Sequence, residues 1–223
     1  MRLRPGRDER RARLATMASA LALALGTAAC GTTYEDHVIV PAQAYDGTPL
    51  VTPLPVTVGL YYGPEMRGHE ENVARSRSGR VDRYHLRLGP ASIALFDRIL
   101  AAQFDAVRPV DRLPTAEDVA PHLDAVIAVS IGHAGLMSVH YDLTLYAPAG
   151  SVIAEFDANG SSYADDMSEE TIERGLRVAM RTAAAKFLVD FPDRPEVAAW
   201  LRRVGAGQPL AMGPPQRRGV AAE

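Results

Sequence analysis

The clearest pattern in the chain is an alternation of apolar and polar positions over residues 139–146. Leu143 and Leu145 fall on one side of this alternation, and His140, Asp142 and Thr144 fall on the other. Successive side chains of a strand point to opposite faces, so the pattern predicts a strand with the leucines in the core. A Pro-Gly turn at 147–150 and a second alternating run to residue 163 predict an antiparallel hairpin.

Shorter apolar runs predict the other strands. Residues 125–131 are apolar except for Ser130, which is typical of a central strand covered on both faces. Residues 56–62 and 84–88 predict two earlier strands, and a brief one is expected near 110–113.

Two long helices are predicted from apolar positions at helical spacing. The first opens at Gly89 and carries a stripe that includes Phe104 and Val107. The second starts near Asp166, with Glu169 at capping-box spacing. Short helices are expected at 114–118 and 196–202.

This order of elements predicts an α/β (α+β) fold. We expect a mixed, largely antiparallel sheet of five or six strands, with the two main helices packed on one face. The domain should span residues 56–203, and the Gly-, Pro- and Arg-rich residues 204–223 should form a disordered tail.

The N-terminus has the order of a secretory signal. Six arginines precede an uncharged segment, from Leu14 to Tyr34, whose centre is rich in Ala and Leu. A basic region, a short apolar region and small residues before a cleavage point characterise signal peptides. We therefore predict that residues 1–29 are removed; a retained membrane anchor is the alternative reading.

The end of this segment, Gly26-Thr27-Ala28-Ala29-Cys30, resembles the lipobox of bacterial lipoproteins. The resemblance implies cleavage before Cys30 and lipid attachment to its thiol and to the new amine. Thr27 departs from the usual Leu at its position, and a free Cys30 after an ordinary signal is the alternative. Gly31 replaces the Asp that tends to retain such proteins at the inner membrane, which implies the outer membrane.

The proline-rich residues 30–55 are interpreted as a tether between the lipidated Cys30 and the domain. The apolar residues 38–40 leave a second interpretation open, in which this segment docks on its own domain.

Composition narrows the classes of function. The chain has 223 residues, a formal net charge of −3 and one cysteine, which excludes a disulfide framework and a multi-cysteine zinc site. Without residues 1–29, 18 basic and 25 acidic residues remain, so the mature net charge is about −7. We expect no nucleic-acid binding, because such proteins are usually basic.

Candidate chemistry is sparse, and we expect no metal and no cofactor. His133, His140 and Asp142 lie close in sequence and could orient a base or ligate a metal, but we interpret them as the solvent-facing side of a strand. Four arginines occupy a predicted polar loop at 63–83 and could bind an acidic partner or a lipid phosphate. They are Arg75, Arg77, Arg80 and Arg83. The alternative is a solvated loop with glutamates as counterions.

The lipobox, the Pro-rich segment and the stretch at 141–150 together resemble small α/β envelope lipoproteins of proteobacteria. The layout is similar to that of the auxiliary lipoproteins of ABC-type lipid transport systems and of the lipopolysaccharide-assembly lipoproteins. The resemblance implies a non-catalytic binding or scaffold subunit within an envelope protein complex, held at the periplasmic face of the outer membrane through Cys30. The alternatives are a periplasmic hydrolase built on His133, His140 and Asp142, and a periplasmic binding protein without lipid.

Overall fold

A computed structural model of the chain describes residues 32–42, 52–119 and 122–205. In chain order the elements are β1 (Thr33–Ile39), β2 (Leu54–Tyr62), α1 (Pro64–Arg67), β3 (Glu70–Arg77), β4 (Arg80–Arg87), α2 (Gly89–Gln103), β5 (Phe104–Pro109), β6 (Ala125–Gly135), β7 (Ser138–Tyr146), β8 (Val152–Ser161), α3 (Glu169–Asp193) and α4 (Pro195–Arg203). The predicted signal peptide, Cys30 and residues 206–223 lie outside the described residues.

Five strands form one mixed sheet in the order β5-β2-β6-β7-β8. The pairs β6–β7 and β7–β8 are antiparallel, and Leu143 lies opposite both Val129 and Phe156. Strand β2 is parallel to both β5 and β6. The hairpin and the central position of β6 were predicted correctly, and Leu143 and Leu145 are both 1% exposed.

Both long helices pack on one face of this sheet. That face carries Val58 of β2, Ile127 of β6 and Tyr141 of β7, all of which belong to a single buried cluster. Helix α2 adds Leu95, Phe96, Ile99 and Leu100 to the cluster, and helix α3 adds Ile172, Leu176, Met180, Phe187 and Phe191. The predicted α/β (α+β) class, with a mixed sheet and two main helices, is confirmed.

The region after the first long helix differs from the prediction. Helix α2 ends at Gln103, and Phe104 begins strand β5 directly instead of continuing the helix. Phe104 is buried in the strand and also fits the apolar spacing of the helix, so that spacing did not distinguish the two. Residues 110–113 form no strand, and residues 114–118 form no helix, with a bend at 116–118.

The start of the second long helix is capped by Ser168 and not by Asp166. The Ser168 side chain accepts a hydrogen bond from the Thr171 backbone N–H. Asp166 accepts bonds from the Ser168 backbone N–H and hydroxyl, at 3.0 and 2.9 Å, so it supports the cap residue one step further out.

A second sheet has the strand order β1-β4-β3. The predicted polar loop at 63–83 is therefore wrong: it contains helix α1, strand β3 and the first part of β4. A two-residue turn joins β3 to β4, and both its residues, Ser78 and Gly79, have positive φ (46° and 81°), as in a type I′ hairpin turn.

Strand β1 occupies residues that were predicted as tether. Its last residue, Ile39, is 3% exposed within the buried cluster. Residues 33–39 therefore form a strand and not an irregular tether. Residues 43–51 lie outside the described residues.

Contacts divide the chain into two compact units. One contains residues 32–37 and Ala74–Arg83; the other contains Val38–Val73 and the chain from Tyr84 onward, including the whole five-stranded sheet. No helix within the described ranges combines the length and the apolar character needed to cross a membrane.

Candidate functional site

The outward face of β7 and β8, opposite the helices, collects ionisable side chains. His140 lies across from Asn159, and Asp142 lies across from Asp157. His133 of β6 pairs with His140 on the other side. The buried face of β7 belongs to the core, so the alternation places these side chains on the opposite face. The structure thus brings together the three residues singled out from sequence.

The His140 ring is held by three side chains. Its Nε2 lies 2.9 Å from Oδ1 of Asp142 and 3.7 Å from Oδ1 of Asp157. Its Nδ1 is hydrogen-bonded to Oδ1 of Asn159. The His133 ring stacks on the His140 ring, with centroids 5.2 Å apart. The imidazole is therefore fixed at both nitrogens and on one flank.

The surroundings of His140 favour its protonated form. The hydrogen bond to Asn159 raises the pKa of the imidazole most; partial desolvation lowers it, and the bond to Asp142 and the charges of Asp142 and Asp157 raise it again. A group that carries positive charge is thus stabilised at this position.

An irregularity in β6 makes room for the cluster. The β6–β7 register shifts between Ile131 and His133, which leaves Gly132 as the extra residue of a bulge. A Cβ at Gly132 would lie 2.5 Å from Cδ2 of His140 and 2.6 Å from Oδ2 of Asp142. Only glycine allows the two side chains to lie where they do.

Sequence reasoning missed Asp157 and Asn159. The signal was present, because both fall on the polar side of the alternation in β8. A symmetric turn at 147–150 would have placed Asp157 opposite His140, and the observed pairs arise only because the β7–β8 register shifts between Leu145 and Tyr146. The completed arrangement, an imidazole nitrogen facing two carboxylates, can bind a proton or a cation.

The four predicted arginines lie on the β3–β4 hairpin and not in a loop. Arg80 forms ion pairs with Glu35 at 2.6 Å and with Asp82 at 2.5 Å. The Arg83 guanidinium lies 4.3 Å from the centroid of the Tyr34 ring. These two arginines join β4 to β1 within the smaller unit. The other two, Arg75 and Arg77, are exposed on β3.

Comparisons with known proteins add little. No family model matches the chain. No curated protein matches it either. Among solved structures, the chain is similar to the crystal structure of protein XCC0632 from Xanthomonas campestris, which is assigned to the family model DUF330. The two are 12% identical, the match covers 68% of this chain and 91% of that one, and the TM-score is 0.45.

A crystal structure described only as that of an uncharacterized protein also matches. Its identity is 11%, the match covers 69% of this chain and 98% of that one, and the TM-score is 0.30. With scores and identities this low, neither likeness supports an argument about function.

Proposed function

We propose that the protein is a lipoprotein of the outer membrane, attached through Cys30, whose periplasmic domain is a binding or scaffold subunit in envelope transport or assembly. The observation that carries the proposal is the signal-like segment that ends Gly26-Thr27-Ala28-Ala29-Cys30. Cys30 is the sole cysteine of the chain and stands where lipobox cleavage would expose it.

Lipid attachment at this position would hold the domain firmly. Each buried methylene contributes about 0.8 kcal/mol, so two or more acyl chains form a lasting anchor. The mature chain is acidic, with about seven excess negative charges. Its own charge would therefore not keep it on an anionic membrane, and the lipid would have to do so.

The segment between the lipidated Cys30 and the first strand would be short. Strand β1 begins at Thr33, three positions after Cys30. Three residues span at most about 10–11 Å when fully extended. A lipidated Cys30 would thus keep β1 and its neighbours close to the headgroups, where they would meet partners at the surface of the same membrane.

Arg75 and Arg77 are the side chains that we assign to partner binding. Both are exposed on β3, whereas Arg80 is paired with two carboxylates. Guanidinium groups form bidentate hydrogen bonds with carboxylates and phosphates. An acidic protein partner or a lipid phosphate fits this chemistry.

The decisive experiment labels cells that express the full chain with a palmitate analogue. Wild-type protein should be labelled and should partition into detergent, and Cys30→Ser should remain uncut and unlabelled. Thr27→Leu, which restores the usual lipobox residue, is the matched control and should be labelled at least as strongly as wild type.

Equal labelling of Cys30→Ser and wild type would overturn the anchor. The outer-membrane location is tested separately: Gly31→Asp should move labelled protein to the inner-membrane fraction. If the wild type already fractionates there, the outer-membrane assignment is wrong. Co-purification of the wild type from membranes, followed by mass spectrometry, then identifies the subunits it accompanies.

A further inference from the structure

We propose that the outward face of β7 and β8 binds a divalent transition-metal ion, with zinc as the best fit, between Nε2 of His140 and one carboxylate oxygen each from Asp142 and Asp157. This inference is independent of the proposed envelope function, and it replaces the sequence-based expectation that the chain binds no metal. It uses one nitrogen and two oxygen ligands from two adjacent strands.

The spacing of the three ligand atoms suits such an ion. Nε2 of His140 lies 2.9 Å from one carboxylate oxygen and 3.7 Å from the other. A metal with bonds of about 2.0–2.2 Å holds neighbouring ligand atoms about 3–3.5 Å apart. Small side-chain rotations would therefore bring all three atoms into contact with one ion.

The orientation of the imidazole is set before any ion arrives. Because Nδ1 is bonded to Oδ1 of Asn159, the Nδ1 proton is donated to that amide oxygen and Nε2 faces the carboxylates. Histidine ligands in metal sites commonly donate their other ring N–H to an oxygen in this way. When an ion binds, Nε2 supplies its lone pair and its proton is released to solvent.

The balance of charge also favours a cation. Among the ion pairs of the described ranges, Asp142 and Asp157 contact His140 and meet no lysine or arginine. Two negative charges thus face at most one positive charge, which is lost when the proton leaves.

A second group of residues offers similar ligand atoms but differs in its charge balance. Glu35, His37 and Asp82 also lie within reach of one another. Both of these acids, however, form ion pairs with Arg80. A guanidinium already provides the positive charge there, so we assign the metal to the His140 group alone.

The site is accessible and has room. The side chains of Asp142 and Asp157 are 49% and 78% exposed, so an ion can enter from solvent. Gly132 leaves the flank of His140 and Asp142 clear. An imidazole beside two carboxylates selects zinc or a related ion over calcium and magnesium, which prefer oxygen-only ligands.

Isothermal titration of the full mature chain with zinc chloride tests the proposal. We expect one zinc ion per chain, and a loss of about 100-fold or more in affinity for His140→Gln, Asp142→Asn and Asp157→Asn. Asn159→Ala, which frees the ring, should lose roughly 10-fold. Excess magnesium should not displace the zinc.

Glu155→Gln is the matched control. Glu155 lies on the same outward side of β8, two residues from Asp157, and is exposed. Its replacement removes one negative charge from this face without removing a ligand, so zinc affinity should stay within about twofold of wild type. Circular dichroism of each variant verifies folding, and X-ray absorption of the zinc complex should show one imidazole nitrogen with oxygen neighbours.

The proposal is overturned if the folded wild type does not bind zinc. It is also overturned if Asp142→Asn and Asp157→Asn bind zinc as tightly as Glu155→Gln, because binding would then depend on surface charge or on another histidine. Displacement of the zinc by magnesium would refute the assigned class of ion.

Discussion

The phenolic oxygen of Tyr141 in β7 lies 2.8 Å from the hydroxyl of Ser92 in α2, and both groups are buried. The edge of one ring meets the face of the other where Tyr141 contacts Phe96, with centroids 4.8 Å apart. A hydrogen bond between two neutral hydroxyls thus joins the sheet to the helix inside the buried core.

This pair predicts a coupled effect on stability. Tyr141→Phe and Ser92→Ala should each lower the free energy of unfolding by about 1–3 kcal/mol, because each leaves a buried hydroxyl without its partner. The double variant should lose less than the sum of the two. Urea denaturation of the four proteins measures the coupling, and strictly additive losses would mean that the bond contributes nothing.

The burial of the Tyr141 phenol also leads us to expect a loss of stability at alkaline pH. Burial raises the pKa of Tyr141, and the bond to Ser92 only partly opposes that rise. The neutral phenol is the form that the fold accommodates, so its contribution is complete below about pH 10 and is lost as the pH rises above that value. Unfolding free energies at about pH 8 and about pH 11 should differ less in Tyr141→Phe than in wild type.

The register of β7 gives a second pair of expected outcomes. Leu143 is 1% exposed, whereas Thr144 is half-buried on the outward face. Leu143→Ala should cost about 2–5 kcal/mol of unfolding free energy. Thr144→Ala should cost less than about 0.5 kcal/mol. The reverse ranking in urea melts would place the wrong face in the core.

The hairpin arginines should separate into two pairs. Arg80→Ser with Arg83→Ser removes the contacts to Glu35 and Tyr34. It should lower stability by at most about 1 kcal/mol, because exposed ion pairs contribute little, and should speed hydrogen exchange in β1 and β4.

Arg75→Ser with Arg77→Ser should leave the exchange rates unchanged and weaken recovery of the envelope partner. The weakening should diminish at high salt, since the Debye length is about 8 Å at physiological ionic strength. If this double variant recovers the same partners at equal yield in low and high salt, the two side chains are only solvated.

Because β8 and α3 approach each other closely at Gly160, we expect that adding one methyl group there lowers the stability of the fold. A Cβ at Gly160 would lie 2.7 Å from the carbonyl carbon of Ala179 and 2.8 Å from the backbone nitrogen of Ala183. Gly160→Ala should therefore push the helix off the sheet and lower stability by about 1–3 kcal/mol. Gly68→Ala is the control, because a Cβ there meets nothing within 4 Å. Equal thermal midpoints for the two variants would contradict this packing.

The five-stranded sheet was predictable where one face of a strand is buried. In β7 the requirement to bury Tyr141, Leu143 and Leu145 produces a strict alternation in the sequence. The same requirement is weak in the β3–β4 hairpin, where all residues from Ala74 to Arg80 are exposed. Because the tip of the hairpin has no buried face, its sequence shows no apolar periodicity and predicts a polar loop.

The end of helix α2 at Gln103 and the full set of residues around His140 were not predicted from the sequence. The reasons differ. Phe104 continues the helical spacing of α2 and is also buried in β5, so burial alone gives no boundary. Asp157 and Asn159 become neighbours of His140 only through cross-strand pairing, which single-strand patterns do not contain. Their types are ordinary for an exposed strand, and only register makes them a site.

Strand β2 pairs only with strands that come much later in the chain. Thr57 pairs with Ala106, 49 residues later, and Val58 pairs with Ala125, 67 residues later. A chain that emerges N-terminus first therefore presents an apolar strand with two open edges while most of its sheet has not yet appeared. Parallel pairing over such distances is slow, and open edges invite pairing between chains. A chain that stalls or is cut before Ala125 should therefore aggregate through the unpaired edges of β2.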